Sequence, residues 1–316
     1  MKIWTENELP NATSDLEKLK SDIDEFGYCI VADAIAEEQV TQIRRRIDEQ
    51  ARAERKHGLV PQDGVQSEGD GNQWVYMLIN KGHVFLDLLR AALPRAVVEH
   101  VLGPNYLLSD FAATITLPGN KRMGMHIDQW WLPVPRSVEQ EPVRPGAITR
   151  RKVVVGPPSL SAAPINPPVV CNALWMISDF KVENGATRVV PRSHRSGRHP
   201  DPTAQQEAVN VTGLAGSCLI FEGRTWHAAD LNRSDSPRYG ITTYYCAPQF
   251  RQMTNFTFGT DREVLASLAP DLLRLLGFKP WGGYGAIGDP SSENILEDEL
   301  VRQLEDVAAT EKEVMT

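Results

Sequence analysis

CLIFEGRTWHAADLNRSDSPRYGITTYY, residues 218–245, decides how the rest of the chain is read. A strand ends near Phe221, a turn follows, and His227 comes just after it. Eleven residues on, Arg238 opens another strand. Working outward, LLSDFAATITL, VCNALWMISDF and TRVVP are likewise short, rich in β-branched and aromatic residues, and bounded by turn residues. Several such runs in succession predict a sandwich or barrel of short antiparallel strands, starting near Tyr106 and ending near Phe250.

The flanks read differently. Asp15 to Glu25 and Glu37 to Arg55 carry apolar residues at helical spacing among many charges, with GYCIVADAI as a short strand between them. His57 to Gln73 is rich in Gly, Asp and Gln and reads as a loop. Val84 to Leu102 reads as a helix interrupted at Pro94. Helical patterns return at Glu263–Leu276 and Ser292–Val307. The predicted organisation is one domain over 1–316: a mixed helical flank (1–104), a β core (105–250) and a helical C-terminal flank (251–316). Within the core, residues 133–170 hold nine of the 22 prolines and a basic cluster, Arg150, Arg151 and Lys152. Such a long segment reads either as a substrate lid or as a packed surface excursion.

Composition narrows the class. Of 316 residues, 41% are apolar and 23% charged, which suits a globular chain. A net charge of -8 is wrong for neutralising phosphates along a duplex, so no nucleic-acid partner is expected. No apolar stretch is long enough to span a bilayer and none resembles a secretory leader, so the expectation is a cytoplasmic protein without a membrane partner. Cys29, Cys171, Cys218 and Cys246 are scattered among apolar neighbours, as buried free thiols would be.

The chemistry rests on two distant segments. In GMHIDQWW (124–131), residues two apart on a strand share a face, so His126 and Asp128 project together. One imidazole and one carboxylate are two of the three ligands of a facial triad on iron(II), which leaves three coordination positions open. Alone, an HxD triplet is weak. His227 supplies a third candidate ligand, its bland alternative being a capped surface turn. Arg238 inside a barrel needs an anionic partner, and its planar fork suits the distal carboxylate of a dicarboxylate such as 2-oxoglutarate. Its alternative is a surface ion pair with Asp230 or Asp235.

His-x-Asp, then about a hundred residues, then His, then Arg eleven further on, is the ordered pattern of the 2-oxoglutarate dioxygenases. The chain resembles the phytanoyl-CoA dioxygenase family in particular. The resemblance is carried by HID (126–128), WMISDFKVENGATRVVPRSH (175–194) and WH…R (226–238), within residues 15 to 250 or so. The family shows a Pro-Gly-Ser-His turn; here Arg192 stands where that glycine would be, which puts the turn's geometry in question.

The resemblance implies a mainly β protein with a double-stranded β-helix (jelly roll, cupin-like) core. It implies His126, Asp128 and His227 as ligands of Fe(II), with 2-oxoglutarate and O2 as co-substrates. The reaction would oxidise an unactivated C–H bond while releasing succinate and CO2. Halogenating relatives lose the carboxylate kept here as Asp128, so hydroxylation, desaturation or ring chemistry is expected. Thr187 matches a place where relatives set a hydroxyl near the co-substrate, and Trp175 a place where an aromatic lines that pocket. An ordinary strand residue and a core residue are the alternatives. Some relatives place Ser or Thr two residues after the arginine or the distal histidine; Gly240 and Ala229 stand there.

Trp130 and Trp131 follow the HxD. Alternation turns one of them to the interior, which makes one a wall for a small-molecule substrate and the other a core residue; the alternative is that both are core. The basic run SHRSGRH (193–199) reads as a solvated turn or as a seat for a substrate anion. Three functions compete: a tailoring oxygenase for a free small molecule in specialised metabolism, favoured by the proline-rich insertion; an acyl-CoA hydroxylase; and a non-catalytic binding module on the same fold.

Overall fold

The structure, a computed structural model, describes residues 4–59, 72–133, 135, 165–200, 208–281 and 283–285. The strands are β1 (Tyr28–Val31), β2 (Asn72–Val75), β3 (Leu107–Thr116), β4 (Val170–Met176), β5 (Arg188–Val189), β6 (Val209–Asn210), β7 (Cys218–Glu222), β8 (His227–Ala228) and β9 (Arg238–Cys246). They form a six-stranded antiparallel sheet, in the order β1-β7-β4-β9-β3-β2, and a small sheet, β6-β5-β8. His126 extends the small sheet by an antiparallel bridge to His227. The two sheets form the double-stranded β-helix, with a cavity between them lined from both.

Alternation sorts the large sheet into two faces. On β4, Cys171, Ala173 and Trp175 join the helix-side core, whereas Asn172 and Leu174 face the cavity. On β9, Tyr239, Ile241 and Tyr245 point to the helices, and Arg238, Thr242 and Tyr244 to the cavity. β4, buried along its whole length, hides Asn172 inside an otherwise apolar pattern.

Three amphipathic helices cover the outer face. Asp15 caps α1 (Leu16–Phe26) by accepting from the amides of Glu17 and Lys18, and Gly27 ends it in the left-handed region at φ 84°. Leu19 and Ile23 of α1, and Ile43, Ile47 and Ala51 of α2 (Glu37–Lys56), pack in the same core as Cys29 and Val31 of β1. The third helix, α3, spans Ala92–Leu102. No helix among the described residues is long and apolar enough to cross a membrane. The four cysteines are free and buried.

Several expectations need correcting. The helical pattern from Val84 is a 3-10 stretch (His83–Arg90) followed by α3, and the break falls at Ala91 rather than Pro94. Pro94 sits in the first turn of α3, where its missing N–H deprives no intrahelical bond. Glu263–Leu276 is two short helices, because Pro270 opens the second of them, Pro270–Leu275. Asn72 and Gln73 begin β2 instead of closing a loop; the Gln73 amide donates to Ala51 O at 3.0 Å. Residues 60–71, Ser292–Val307 and the segment 136–164 within the proline-rich insertion lie outside the described residues.

Candidate metal centre and co-substrate cavity

His126, Asp128 and His227 converge, each offering a ligand atom, with all three atoms within 4.8 Å of one another. The histidines come together through the backbone: His126 N donates to His227 O at 3.1 Å and His227 N to His126 O at 3.0 Å. Their ring centroids lie 4.3 Å apart. Each Nδ1 sits against the carbonyl two residues earlier, Gly124 O at 3.0 Å and Thr225 O at 2.9 Å. That pairing favours the tautomer with Nδ1 protonated, which makes Nε2 the lone-pair nitrogen of each ring. The Nε2 atoms point at the Asp128 carboxylate, 3.7 Å away from His126 and 3.2 Å from His227.

Two residues that sequence reasoning passed over hold Asp128. Gly223 O accepts from Asp128 N at 2.9 Å and from Gln129 N at 3.3 Å, seating the turn that carries the carboxylate. Gly223 must be glycine, because a Cβ there would lie 2.6 Å from the Val170 side chain. Asn172 donates through Nδ2 to Asp128 Oδ2. Its only sequence signal is one amide in the apolar strand VCNALWM.

His227 is held by the PRSH turn. Ser193 Oγ accepts from Trp226 N at 2.8 Å, and Val190 N donates to Trp226 O at 2.9 Å. Arg192 keeps the left-handed conformation expected of the absent glycine, at φ 66°. That conformation costs an L-residue roughly 1–2 kcal/mol. Arg192 offsets it with contacts a glycine lacks: its guanidinium pairs with Glu25 and lies over the rings of Trp4 and Phe26 at 5.4 and 5.3 Å. The rest of the basic run is only partly solvated. His194 and His199 are buried, and burial pushes the His194 imidazole down to about 4.

Electrostatics at the triad favour a cation. Burial alone would lower the His227 imidazole, but the adjacent Asp128 carboxylate outweighs it and the net shift is upward. A metal ion satisfies the same preference without a proton. Two imidazoles and one carboxylate converging in this way suit iron(II) and would leave coordination positions facing the cavity.

The cavity measures about 500 Å³. Arg238 lies on its wall, buried, with one hydrogen bond from Nη2 to Thr116 Oγ1 at 2.9 Å. Its guanidinium stacks 4.2 Å from the Phe180 ring centroid, and its Nε has no partner. Burial pushes it down to about 10, and no acidic side chain among the described residues pairs with it. Asp230, the alternative partner, is engaged by Arg122 at 2.6 Å and lies 3.9 Å from Arg188. An orphaned buried fork of this kind fits an incoming carboxylate.

Thr187 lines the same cavity. Trp175 does not. It is fully buried on the helix side of β4, with Nε1 donating to Thr243 Oγ1 at 3.2 Å, because odd-numbered residues of that strand face away from the cavity. Trp130 and Trp131 both reach the cavity, since residues 128–131 form a turn in which strand alternation no longer applies. Trp131 also packs on Phe250, with ring centroids 4.9 Å apart.

Comparison with known proteins agrees with this architecture. The chain belongs to the phytanoyl-CoA dioxygenase (PhyH) family, whose model matches residues 23–240. Dioxygenase af480 of Aspergillus fumigatus is 24% identical over 280 residues, spanning 88% of this chain and 81% of that one. Among solved structures, the non-haem alpha-ketoglutarate-dependent carbocyclase SnoK from nogalamycin biosynthesis superposes with a TM-score of 0.54 at 18% identity, covering 83% of this chain and 94% of SnoK. HygX from Streptomyces hygroscopicus, with nickel, 2-oxoglutarate and hygromycin B bound, gives 0.54 at 14% identity, covering 74% and 88%. At such identities these structures speak for the fold. Family membership makes the chain an iron(II)- and 2-oxoglutarate-dependent dioxygenase.

Proposed function

We propose that this enzyme oxidises an unactivated C–H bond of a free small molecule in specialised metabolism, with His126, Asp128 and His227 as iron ligands and Arg238 as the anchor of 2-oxoglutarate. One observation carries the reading: a convergent two-histidine, one-carboxylate set and a buried arginine without an acidic partner open onto a single cavity. Bound iron would supply dioxygen activation coupled to decarboxylation of 2-oxoglutarate.

The chain's own residues supply position. Arg238 fixes the distal carboxylate of the co-substrate, with Thr187 lining the same cavity. Asn172 and the Gly223 carbonyl hold Asp128 in register, and the Thr225 and Gly124 carbonyls orient the imidazoles. Trp130 and Trp131 form a wall for the substrate and exclude water from the reacting centre. Support for specialised metabolism comes from the relatives: af480 is a fungal dioxygenase, and SnoK belongs to nogalamycin biosynthesis.

The test is succinate release by iron-loaded enzyme across a panel of ring-bearing natural products and acyl-CoA thioesters. Substrate-stimulated release with a free small molecule is expected. Stimulation by the thioesters alone would assign the enzyme to acyl-CoA oxidation, and no 2-oxoglutarate turnover under any condition would overturn the catalytic reading.

A further inference from the structure

Among the described residues, four charged side chains line the cavity, Arg238, Asp128, Asp110 and the exposed Arg251, and the co-substrate and the metal account for only the first two. Arg238 lies at one end of β9, paired in register with Thr116 of β3. Six residues along β9, roughly 20 Å away at strand spacing, Tyr244 pairs with Asp110 of β3 on one side and Asn172 of β4 on the other. Asn172 is the residue that holds Asp128. A single cross-strand row, Asn172–Tyr244–Asp110, therefore runs from the metal centre to a second carboxylate, about 10 Å distant over two strand spacings.

Asp110 faces the cavity in phase with Thr114 and Thr116 of β3, and a register shift between Leu108 and Asp110 breaks the alternation just beyond it. Beyond that shift Leu108 belongs to the helix-side core, while Ser109 and Asp110 both line the cavity. The carboxylate is 5% exposed and accepts from Thr254 Oγ1 at 2.7 Å. No cationic side chain among the described residues pairs with it, and among the described lining residues the only other carboxylate is the ligand candidate Asp128. Desolvation raises its pKa, as expected of a buried acid lacking a counter-charge.

Aromatic rings line the same cavity. Trp74 and Tyr76 stack with centroids 5.7 Å apart and planes 6° apart, and Trp130 and Trp131 line the same space. Flat rings favour a flat guest.

Resting on the assignment of this cavity as the active site, we propose that the substrate is a ring-bearing amine. Its planar skeleton lies among Trp74, Tyr76, Trp130 and Trp131, and its ammonium group seats on Asp110. The amine is a specificity handle: it sets which carbon lies over the metal centre. A substrate anion is disfavoured at that end by the same carboxylate.

The test uses zinc-loaded, catalytically inert enzyme saturated with 2-oxoglutarate. Calorimetry compares three probes of matched shape: 1-naphthylmethylamine, its N-acetyl derivative and 1-naphthylmethanol. The amine is expected to bind wild type at least about tenfold more tightly than either neutral probe, the margin of a charge-assisted over a neutral hydrogen bond. In Asp110→Asn that margin should vanish, with the thermal midpoint reporting whether the variant is folded. Equal binding of amine and alcohol to wild type, or a margin that persists in Asp110→Asn, overturns the proposal. Should Asp110→Asn not fold, the N-acetyl probe on wild type decides, since tight binding of that neutral amide refutes the ammonium seat. A wild-type enzyme that fails to take up 2-oxoglutarate at the outset refutes the active-site assignment instead, so the two failures are distinguishable.

Discussion

His126 and His227, about a hundred residues apart in sequence, exchange both backbone hydrogen bonds at 3.1 and 3.0 Å. Neither histidine is placed by its own segment alone. The donor set exists only once the small sheet has closed, so metal binding and closure of that sheet are thermodynamically linked. Zinc at a hundredfold excess over its Kd should add about 2.7 kcal/mol to stability. Differential scanning calorimetry should show the rise in wild type and little or none in His126→Ala.

Gly223→Ala should weaken metal binding about 10–100-fold, the range typical of lost outer-shell support. The new Cβ would sit 2.6 Å from the Val170 side chain, so the carbonyl that holds Asp128 must move. Competition with a chromogenic chelator measures the affinity directly. An unchanged affinity would show that Asn172 alone suffices to place the carboxylate.

Arg238→Ala should raise the 2-oxoglutarate concentration for half-saturation by hundreds-fold, because losing one partner of a buried charge pair costs about 3–5 kcal/mol. Arg238→Lys should restore little, since a single ammonium cannot reproduce the fork. Iron affinity, read by the same chelator assay, should stay near wild type. Saturation of Arg238→Ala at the wild-type concentration would move the anchor to another residue.

Trp175→Phe separates core from cavity. The lost indole and its bond to Thr243 Oγ1 should lower stability by roughly 1–3 kcal/mol in urea unfolding. The 2-oxoglutarate KM should not change. A shifted KM with unaltered stability would return Trp175 to the co-substrate pocket.

Acid should destabilise the fold through His194. Its folded-state imidazole is held down at about 4 by burial, against an ordinary 6.5 in the unfolded chain. As pH falls below 6.5 the unfolded chain takes up the proton first, so stability is lost between about 6.5 and 4, by up to roughly 3 kcal/mol. His194→Gln should flatten the fall of the thermal midpoint across that window. An identical slope in the variant would assign the acid sensitivity to other groups.

The residues legible in the sequence are those whose chemistry is rare in their setting. His126, Asp128, His227 and Arg238 stand out by type, order and strand spacing, and the structure brings the first three together on the cavity that holds the fourth. Trp175 was misplaced because a strand buried on both faces gives no apolar–polar alternation from which to tell its sides apart. Asn172, Gly223 and Asp110 were invisible for a different reason. Their roles depend on cross-strand neighbours, on a clash a Cβ would make and on which face of a doubly buried strand meets the cavity, all of which exist only after the sheets pair. The sequence predicts an interruption at Pro94 and a single helical pattern running through Pro270, yet each proline sits in the first turn of a helix, where proline is at home.

Gln129 closes a ring at the foot of the proline-rich insertion. Its amide donates to Pro167 O at 3.1 Å and its carbonyl accepts from Val169 N at 3.1 Å, while Asn166 Nδ2 reaches Pro133 O at 2.7 Å and Arg224 Nη1 reaches Asn166 O at 2.6 Å. Both feet of the excursion are thus riveted to the frame that carries Asp128, independently of what runs between them. Because the entropy of closing a loop rises by only about 0.6 kcal/mol per doubling of its length, this socket tolerates inserts of very different size. For protein engineering the stem is a grafting site: a foreign segment spliced between Pro133 and Asn166 would be held by the same rivets.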